Sequence, residues 1–254
     1  MKLTKRTILI TGGTSGIGRE MAEQLLSRDN VVIVTGRDQS RLDQVKRELP
    51  SIHVIKSDVS DPIAIESLQA EVIAKFPGLD VLINNAGVMR NLNLNQDLGL
   101  EDLTREIDIN LSGPVRMVQQ FLPNLKKRKE AVIVMVSSGL AFIPLPVSPI
   151  YCATKAALHS YTQSLRVQLS GTNVRAIELA PPATETPLFR AQFQAEMKTQ
   201  NGMDVSVLVR KALAGIEAGK LEICPGLSSV LKLMSRVAPE FMLGQLVKMS
   251  APKR

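Results

Sequence analysis

Thr11-Gly12-Gly13-Thr14-Ser15-Gly16-Ile17-Gly18 follows an apolar run at 7–11 and opens a helical pattern. Glycines at 12, 16 and 18 let a backbone turn tightly and approach a pyrophosphate without Cβ collisions. The helix behind them offers free N–H groups and a positive dipole end. Thr14, Ser15 and Ile17 complete the candidate cofactor-binding loop. The spacing differs from G-x-G-x-x-G, so a ligand-free strand-to-helix turn stays open at this point.

Outward from that turn the chain keeps one rhythm, without repeats. Strand-sized runs at 7–11, 31–35, 52–56, 81–84, 131–137, 174–179 and 221–224 alternate with helical patterns at 16–27, 39–49, 62–75, 100–127, 149–169 and 204–218. The runs are continuous in Val, Ile and Leu, which means both faces are covered. The pattern predicts an α/β, doubly wound fold, with a mainly parallel seven-stranded sheet and helices on both faces. No linker rich in Pro, Gly or Ser divides residues 1–254, so one dinucleotide-binding and catalytic domain is expected. In such sheets ligands sit beyond the carboxyl ends of the strands, where the winding reverses.

Composition excludes other classes. Nothing in the 254 residues approaches the roughly 18 consecutive apolar residues of a membrane span. The apolar run near the start is too short for a signal peptide, and a cytoplasmic protein is expected. Two cysteines, Cys152 and Cys224, make no disulfide framework, and two histidines leave little for a metal site, so no metal is expected. The net charge of +7 includes Lys126-Lys127-Arg128-Lys129, which reads as a solvated helix end. With 3% aromatic residues and no Trp, bases find few stacking platforms, and no nucleic-acid partner is expected.

The second strand ends Val34-Thr35-Gly36-Arg37-Asp38. An acid at this strand end holds a ribose 2′-hydroxyl, whereas an Arg pairs bidentately with a 2′-phosphate. Gly36 stands at that end and Arg37 follows, which favours NADP(H), with NAD(H) as second choice. Asp38 reads best as a helix N-cap. Asp58 and Val59 after the third strand suit an adenine ring. Asn85, Ala86 and Gly87 after the fourth are small residues where a cofactor passes closely. Each pair alone is bland, since Asn and Gly end many strands.

After the fifth run come Ser137-Ser138-Gly139, a proline-rich loop, and Tyr151-Cys152-Ala153-Thr154-Lys155. Tyr151 and Lys155 lie four apart and share one helix face. A lone Tyr-x-x-x-Lys is common and decides nothing. Ser138 at a carboxyl strand end adds weight to it.

The turn at 11–18, Asp58, the segment 84–87, Asn110, Ser138, Tyr151 thirteen residues later, and Lys155 stand in one order and spacing. That set resembles the short-chain dehydrogenase/reductase family along essentially the whole chain. The resemblance implies a Rossmann fold and Asn110, Ser138, Tyr151 and Lys155 as catalytic residues. It also implies a homodimer or homotetramer built through the helices at 100–127 and 149–169. Segments 151–161 and 178–183 look most like a bacterial branch named for D-alanine esterification of teichoic acids. Pro181 matches the family's turn and Thr186 its carboxamide- or phosphate-binding position, while Pro182 stands where glycine is usual.

The chemistry is argued from the groups. Hydride moves between the nicotinamide and a carbonyl carbon while a proton reaches the carbonyl oxygen. A phenol of pKa about 10 is poorly matched to neutral pH. A Lys155 ammonium within about 4 Å favours its phenolate by up to ~4 kcal/mol at an effective dielectric near 20. Lys155 is also expected on the nicotinamide ribose and Ser138 on the substrate oxygen. By family likeness, Asn110 positions a relay water. The leading reading is NADPH-dependent reduction of an apolar ketone or aldehyde, or oxidation of a secondary alcohol in reverse. A cofactor-binding regulator that turns nothing over is the alternative.

Ser137, Tyr161 and His159 read as packing or surface residues, His159 with no second ligand nearby. The loop 140–150, with Pro144, Pro146 and Pro149 among apolar residues, predicts a greasy pocket wall, and 183–203 a mobile lid. Leu227, Val230, Leu231, Met234, Val237, Phe241 and Leu246 make the segment 226–249 amphipathic. Packing over the pocket or a partner subunit is favoured there over a membrane surface.

Overall fold

Seven strands form one sheet: β1 (Thr7–Thr11), β2 (Val31–Gly36), β3 (His53–Lys56), β4 (Leu79–Asn84), β5 (Ala131–Val136), β6 (Val174–Leu179) and β7 (Glu222–Ile223). Their order is β3-β2-β1-β4-β5-β6-β7, and every pairing is parallel. This computed structural model describes residues 1–192 and 201–250. The helices are α1 (Gly16–Leu26), α2 (Gln39–Glu48), α3 (Pro62–Lys75), α4 (Leu100–Ile107), α5 (Gly113–Leu125), α6 (Pro149–Gln168), α7 (Pro187–Gln192), α8 (Val205–Glu217), α9 (Leu227–Val237) and α10 (Pro239–Ser250).

The continuous apolar runs explain the layering. Alternate residues of each strand face opposite sides. Ile8, Ile10, Val32, Val34, Val132 and Val134 pack beneath α1, α2 and α8. Leu9, Ile33, Leu82, Ile133 and Met135 pack beneath α3, α5 and α6, with Phe121 fully buried among them. Each such side chain contributes roughly 1.5–3 kcal/mol on burial, which an alternating strand would forfeit on one face. Three helices start where an aspartate accepts backbone N–H groups. Asp38 caps α2 (Arg41 N, 3.3 Å), Asp61 caps α3 (Ile63 N, 2.9 Å) and Asp204 caps α8 (Ser206 N, 2.9 Å).

One expected helix is broken. The pattern at 100–127 divides into α4, a π turn at Asp108–Ser112, and α5. The Gly113 N–H donates to the Asp108 carbonyl five residues back, and Pro114, which has no N–H, follows at once. Gly113 also packs against the chain after β3, since a Cβ there would lie 2.7 Å from the Val59 carbonyl oxygen. The wide turn holds Asn110 fully buried. In the tail, Pro239 separates α9 from α10. Leu231 and Leu246 are buried there, whereas Leu227, Val237 and Phe241 stay exposed. Among the described residues, no helix is long and apolar enough to cross a membrane.

The winding reverses between β1 and β4, which are neighbours in the sheet although the chain runs outward from them in opposite directions. The glycine turn leaves the carboxyl end of one, and Asn85-Ala86-Gly87 leave that of the other.

Candidate active site

Two residues lash these strand ends together. The amides of Asn85 and Ala86 both donate to Thr11 Oγ1 at 3.0 Å, and Asn85 Nδ2 donates to the carbonyls of Thr11 (3.0 Å) and Gly12 (3.1 Å). The approach is close enough to need glycine. Gly12 has φ +67°, and a Cβ there would lie 2.8 Å from Ala86 Cα. Gly16 also has positive φ, +55°. Ser15, the N-cap of α1, makes no side-chain capping bond, so its side chain leaves the first amides of α1 uncapped. Ser15, Gly16 and Ile17 line the adjoining cavity. A free helix N-terminus under a Cβ-less turn suits a pyrophosphate.

Gly18 corrects the sequence reading. It does not line the cavity, and its missing Cβ admits Asn85 Nδ2, which would lie only 2.4 Å away. Its place is helix packing. Asp58 and Val59 line the cavity, and Asp58 Oδ1 accepts the amide (2.9 Å) and hydroxyl (2.7 Å) of Ser60. Arg37 is exposed at the cavity rim and, among the described residues, forms no ion pair. Arg41, also at the rim, lies 3.7 Å from Asp38, which serves as the expected N-cap.

The same cavity, about 470 Å³, runs on to Ser138, Tyr151 and Lys155. Lys155 is 3% exposed; its Nζ donates to the Val136 carbonyl at 2.9 Å and sits 5.5 Å from the centre of the Tyr151 ring. Ser138 Oγ accepts the Leu140 amide at 3.1 Å. Burial pushes the Tyr151 phenol up to about 12, against a hydrogen bond with Ser138 that draws it down. Burial also brings Lys155 down to about 8. A phenol pulled toward neutrality by its lysine is therefore not what this geometry gives. Low-dielectric walls penalise charge on both groups, and Tyr151 keeps its proton at pH 7.

Asn110 lies behind the cavity rather than in its wall. Its Nδ2 donates to the Val88 carbonyl (2.8 Å) and Thr154 Oγ1 (3.2 Å), and its Oδ1 accepts the Val88 amide (2.9 Å). Three of its four hydrogen-bonding positions thus tie the loop after β4 to α6, leaving one acceptor lone pair for a water. Pro181, Pro182 and Thr186 line the cavity opposite the glycine turn.

The tail, expected over the pocket or a partner subunit, supplies Leu227, Leu231 and Leu246 to the cavity wall, alongside the expected Leu140 and Leu145. Sequence reading missed two features. Glu106 is fully buried, accepts the Arg90 amide at 3.0 Å, and is raised in pKa by burial; its charge is one of the smaller contributions raising Tyr151. His159 does have a carboxylate beside it, Glu178, at 2.7 Å. No local pattern joins residues 19 apart on different elements.

Residues 6–197 match the model of the family described as short chain dehydrogenase. The chain belongs to that family. As a short-chain dehydrogenase it is an oxidoreductase on a Rossmann-type sheet. It is 44% identical, over 88% of its length and 89% of the relative's, to a Bacillus subtilis protein named uncharacterized oxidoreductase DltE. A short-chain dehydrogenase from Burkholderia cenocepacia, solved with NADP, superposes with a TM-score of 0.84 at 24% identity, covering 97% of this chain and 99% of that one. A 3-ketoacyl-(acyl-carrier-protein) reductase from Brucella melitensis, solved with NADH, gives 0.80 at 27% identity, covering 89% and 100%.

Between Thr184 and Met203 this short-chain dehydrogenase pairs the two ends of the segment expected as a lid. The Met203 amide donates to the Ala183 carbonyl at 2.8 Å, and the Glu185 amide to the Met203 carbonyl at 3.0 Å. Residues 193–200 of that expectation lie outside the described residues.

Proposed function

We propose that this short-chain dehydrogenase reduces apolar ketones or aldehydes with NADPH and oxidises the matching secondary alcohols in reverse. One observation carries the reading: a single cavity joins the glycine turn to Ser138, Tyr151 and Lys155 and ends against Leu140, Leu145 and Phe189. The α1 amides and Thr14 would hold the pyrophosphate, Arg37 the 2′-phosphate, and Asp58 with Val59 the adenine. Asn85, Ala86 and Gly87 would flank the passage, Lys155 the nicotinamide ribose, and Pro181 with Thr186 the carboxamide. NADPH supplies the hydride when bound.

The chain's own residues handle the proton. Ser138 orients the carbonyl oxygen, and Tyr151 Oη gives that oxygen its proton as negative charge grows there. An alkoxide is far more basic than a phenolate, so transfer from a phenol near 12 runs downhill. Lys155, still largely protonated at pH 7 with its pKa near 8, stabilises the phenolate left behind. The apolar far wall selects substrates without charge near the carbonyl. Homodimer or homotetramer assembly in the cytoplasm belongs to the same proposal, supported by Leu100 and Val167, which are 81% and 74% exposed on α4 and α6.

Of the two solved structures named above, one holds NADP and the other NADH, and Arg37 at the cavity rim is what favours NADP here. A panel of aliphatic and aromatic carbonyls is expected to be reduced with NADPH in preference to NADH. Arg37→Ala removes one charge-assisted bidentate contact, worth ~1.5–3 kcal/mol, and weakens NADPH binding roughly 10- to 100-fold with NADH binding unchanged. NADPH affinity unchanged by the substitution, or a wild-type protein that prefers NADH, would overturn the phosphate assignment.

A further inference from the structure

Glu178 on β6 is 1% exposed and has no part in the chemistry above. Its carboxylate is held by two donors. Oε1 accepts the Ser137 hydroxyl, and Oε2 lies 2.7 Å from His159 Nδ1. His159 follows Lys155 by one helical turn on α6. Its Nε2 is 3.0 Å from Gln163 Nε2, and Phe142 packs edge-on against its ring at 5.1 Å. Glu222 completes a cluster whose ligand atoms lie within 4.8 Å, but it is already ion-paired with Lys232 and, at 3.8 Å, with Arg166. Lys232 is also close enough for its charge to be felt at Glu178, but the hydrogen-bond partners of the Glu178 carboxylate are Ser137 and His159.

A buried carboxylate is costly unless its oxygens are satisfied, so neither donor leaves freely. Ser137 is thereby pinned at the end of β5 by its side chain as well as by its amide, which donates to the Leu179 carbonyl at 2.8 Å. The next residue is Ser138. We propose that Glu178 and His159 are positioning residues, holding Ser138 through Ser137 in register with Tyr151 and Lys155. Both ends of this brace belong to the site: α6 carries Tyr151, Lys155 and His159, and β5 leads into Ser138. The inference rests on the proposed carbonyl chemistry of Ser138 and Tyr151.

Steady-state kinetics on the full chain with NADPH and a carbonyl it reduces tests this. His159→Leu and Ser137→Ala are each expected to lower kcat about tenfold with NADPH affinity little changed, and to lower the melting temperature, because each leaves one oxygen of the buried Glu178 carboxylate without its donor. His159→Asn, whose amide N–H can replace Nδ1–H, restores kcat to within about threefold of wild type. The double variant of His159→Leu with Ser137→Ala is no slower than the worse single variant, because both cut one brace. Should His159→Leu fail to fold, Ser137→Ala, which removes one oxygen, decides alone. Wild-type kcat in Ser137→Ala, equal losses in His159→Asn and His159→Leu, or additive losses would overturn the proposal. Tyr151→Phe separates the two readings, since full turnover in that variant would mean that the carbonyl chemistry itself has failed.

Discussion

Tyr151→Phe should lower kcat by about a thousandfold while leaving NADPH affinity within about twofold of wild type. The substitution removes one oxygen from a ring that packs with Ile143, Leu145 and Cys152, so the fold keeps its apolar contacts. It also removes the hydroxyl that hydrogen-bonds Ser138. The phenylalanine ring still fills the cavity wall between Lys155 and the substrate end, so cofactor contacts elsewhere are untouched. Turnover numbers and an NADPH fluorescence titration check both halves. Residual turnover within tenfold of wild type would place the proton donor on another group.

Lys155→Met should abolish most turnover and, at neutral pH, make the protein more stable than wild type. Burial lowers Lys155 from 10.5 to about 8, so keeping its charge at pH 7 opposes folding. Between about 8 and 10.5 the native lysine binds fewer protons than the unfolded one, and wild-type stability rises with pH across that window relative to the variant. Below about 8 the full cost is present. At ~1.4 kcal/mol per pH unit the window from about 8 to 10.5 amounts to on the order of 3.5 kcal/mol, which falls to roughly 2–3 kcal/mol once about 1 kcal/mol is taken off for the bond lost to the Val136 carbonyl. Cys152 and Cys224, both raised by burial, titrate in both proteins and cancel in the comparison, and native Tyr151, raised to about 12, keeps its proton at pH 9.5. Urea midpoints at pH 7 and pH 9.5 measure it. Parallel pH profiles in the two proteins would show that burial does not set this lysine's charge.

The sheet was legible because its signal is local: strand-sized runs rich in Val, Ile and Leu alternate with helical patterns, and Asp38 stands where α2 begins. Strand ends moved by a residue or two, as at Leu79 and Gly36. The helix at 100–127 misled because its apolar spacing reads through the π turn; the bond from Gly113 to Asp108 that makes the turn leaves no periodic mark. Gly18 misled for another reason. A sequence shows that a Cβ is missing but not which neighbour takes its space, and here Asn85 does. Helical spacing placed Tyr151 beside Lys155 correctly, yet spacing carries no information on solvent. Spacing alone suggested a downward shift for Tyr151, whereas the burial that it does not reveal acts upward. Glu106 and Glu178 escaped for the same reason, since a buried carboxylate looks like any other in one dimension.

The most direct test of the central claim is isotope transfer from NADPH carrying deuterium at both C4 positions of its nicotinamide. With a carbonyl from the panel, each alcohol molecule formed should gain one deuterium at the former carbonyl carbon, in step with NADPH consumed. NADPH left unconsumed across aliphatic and aromatic carbonyls, or consumed without deuterium in the alcohol, would contradict a reductase site built on Ser138, Tyr151 and Lys155.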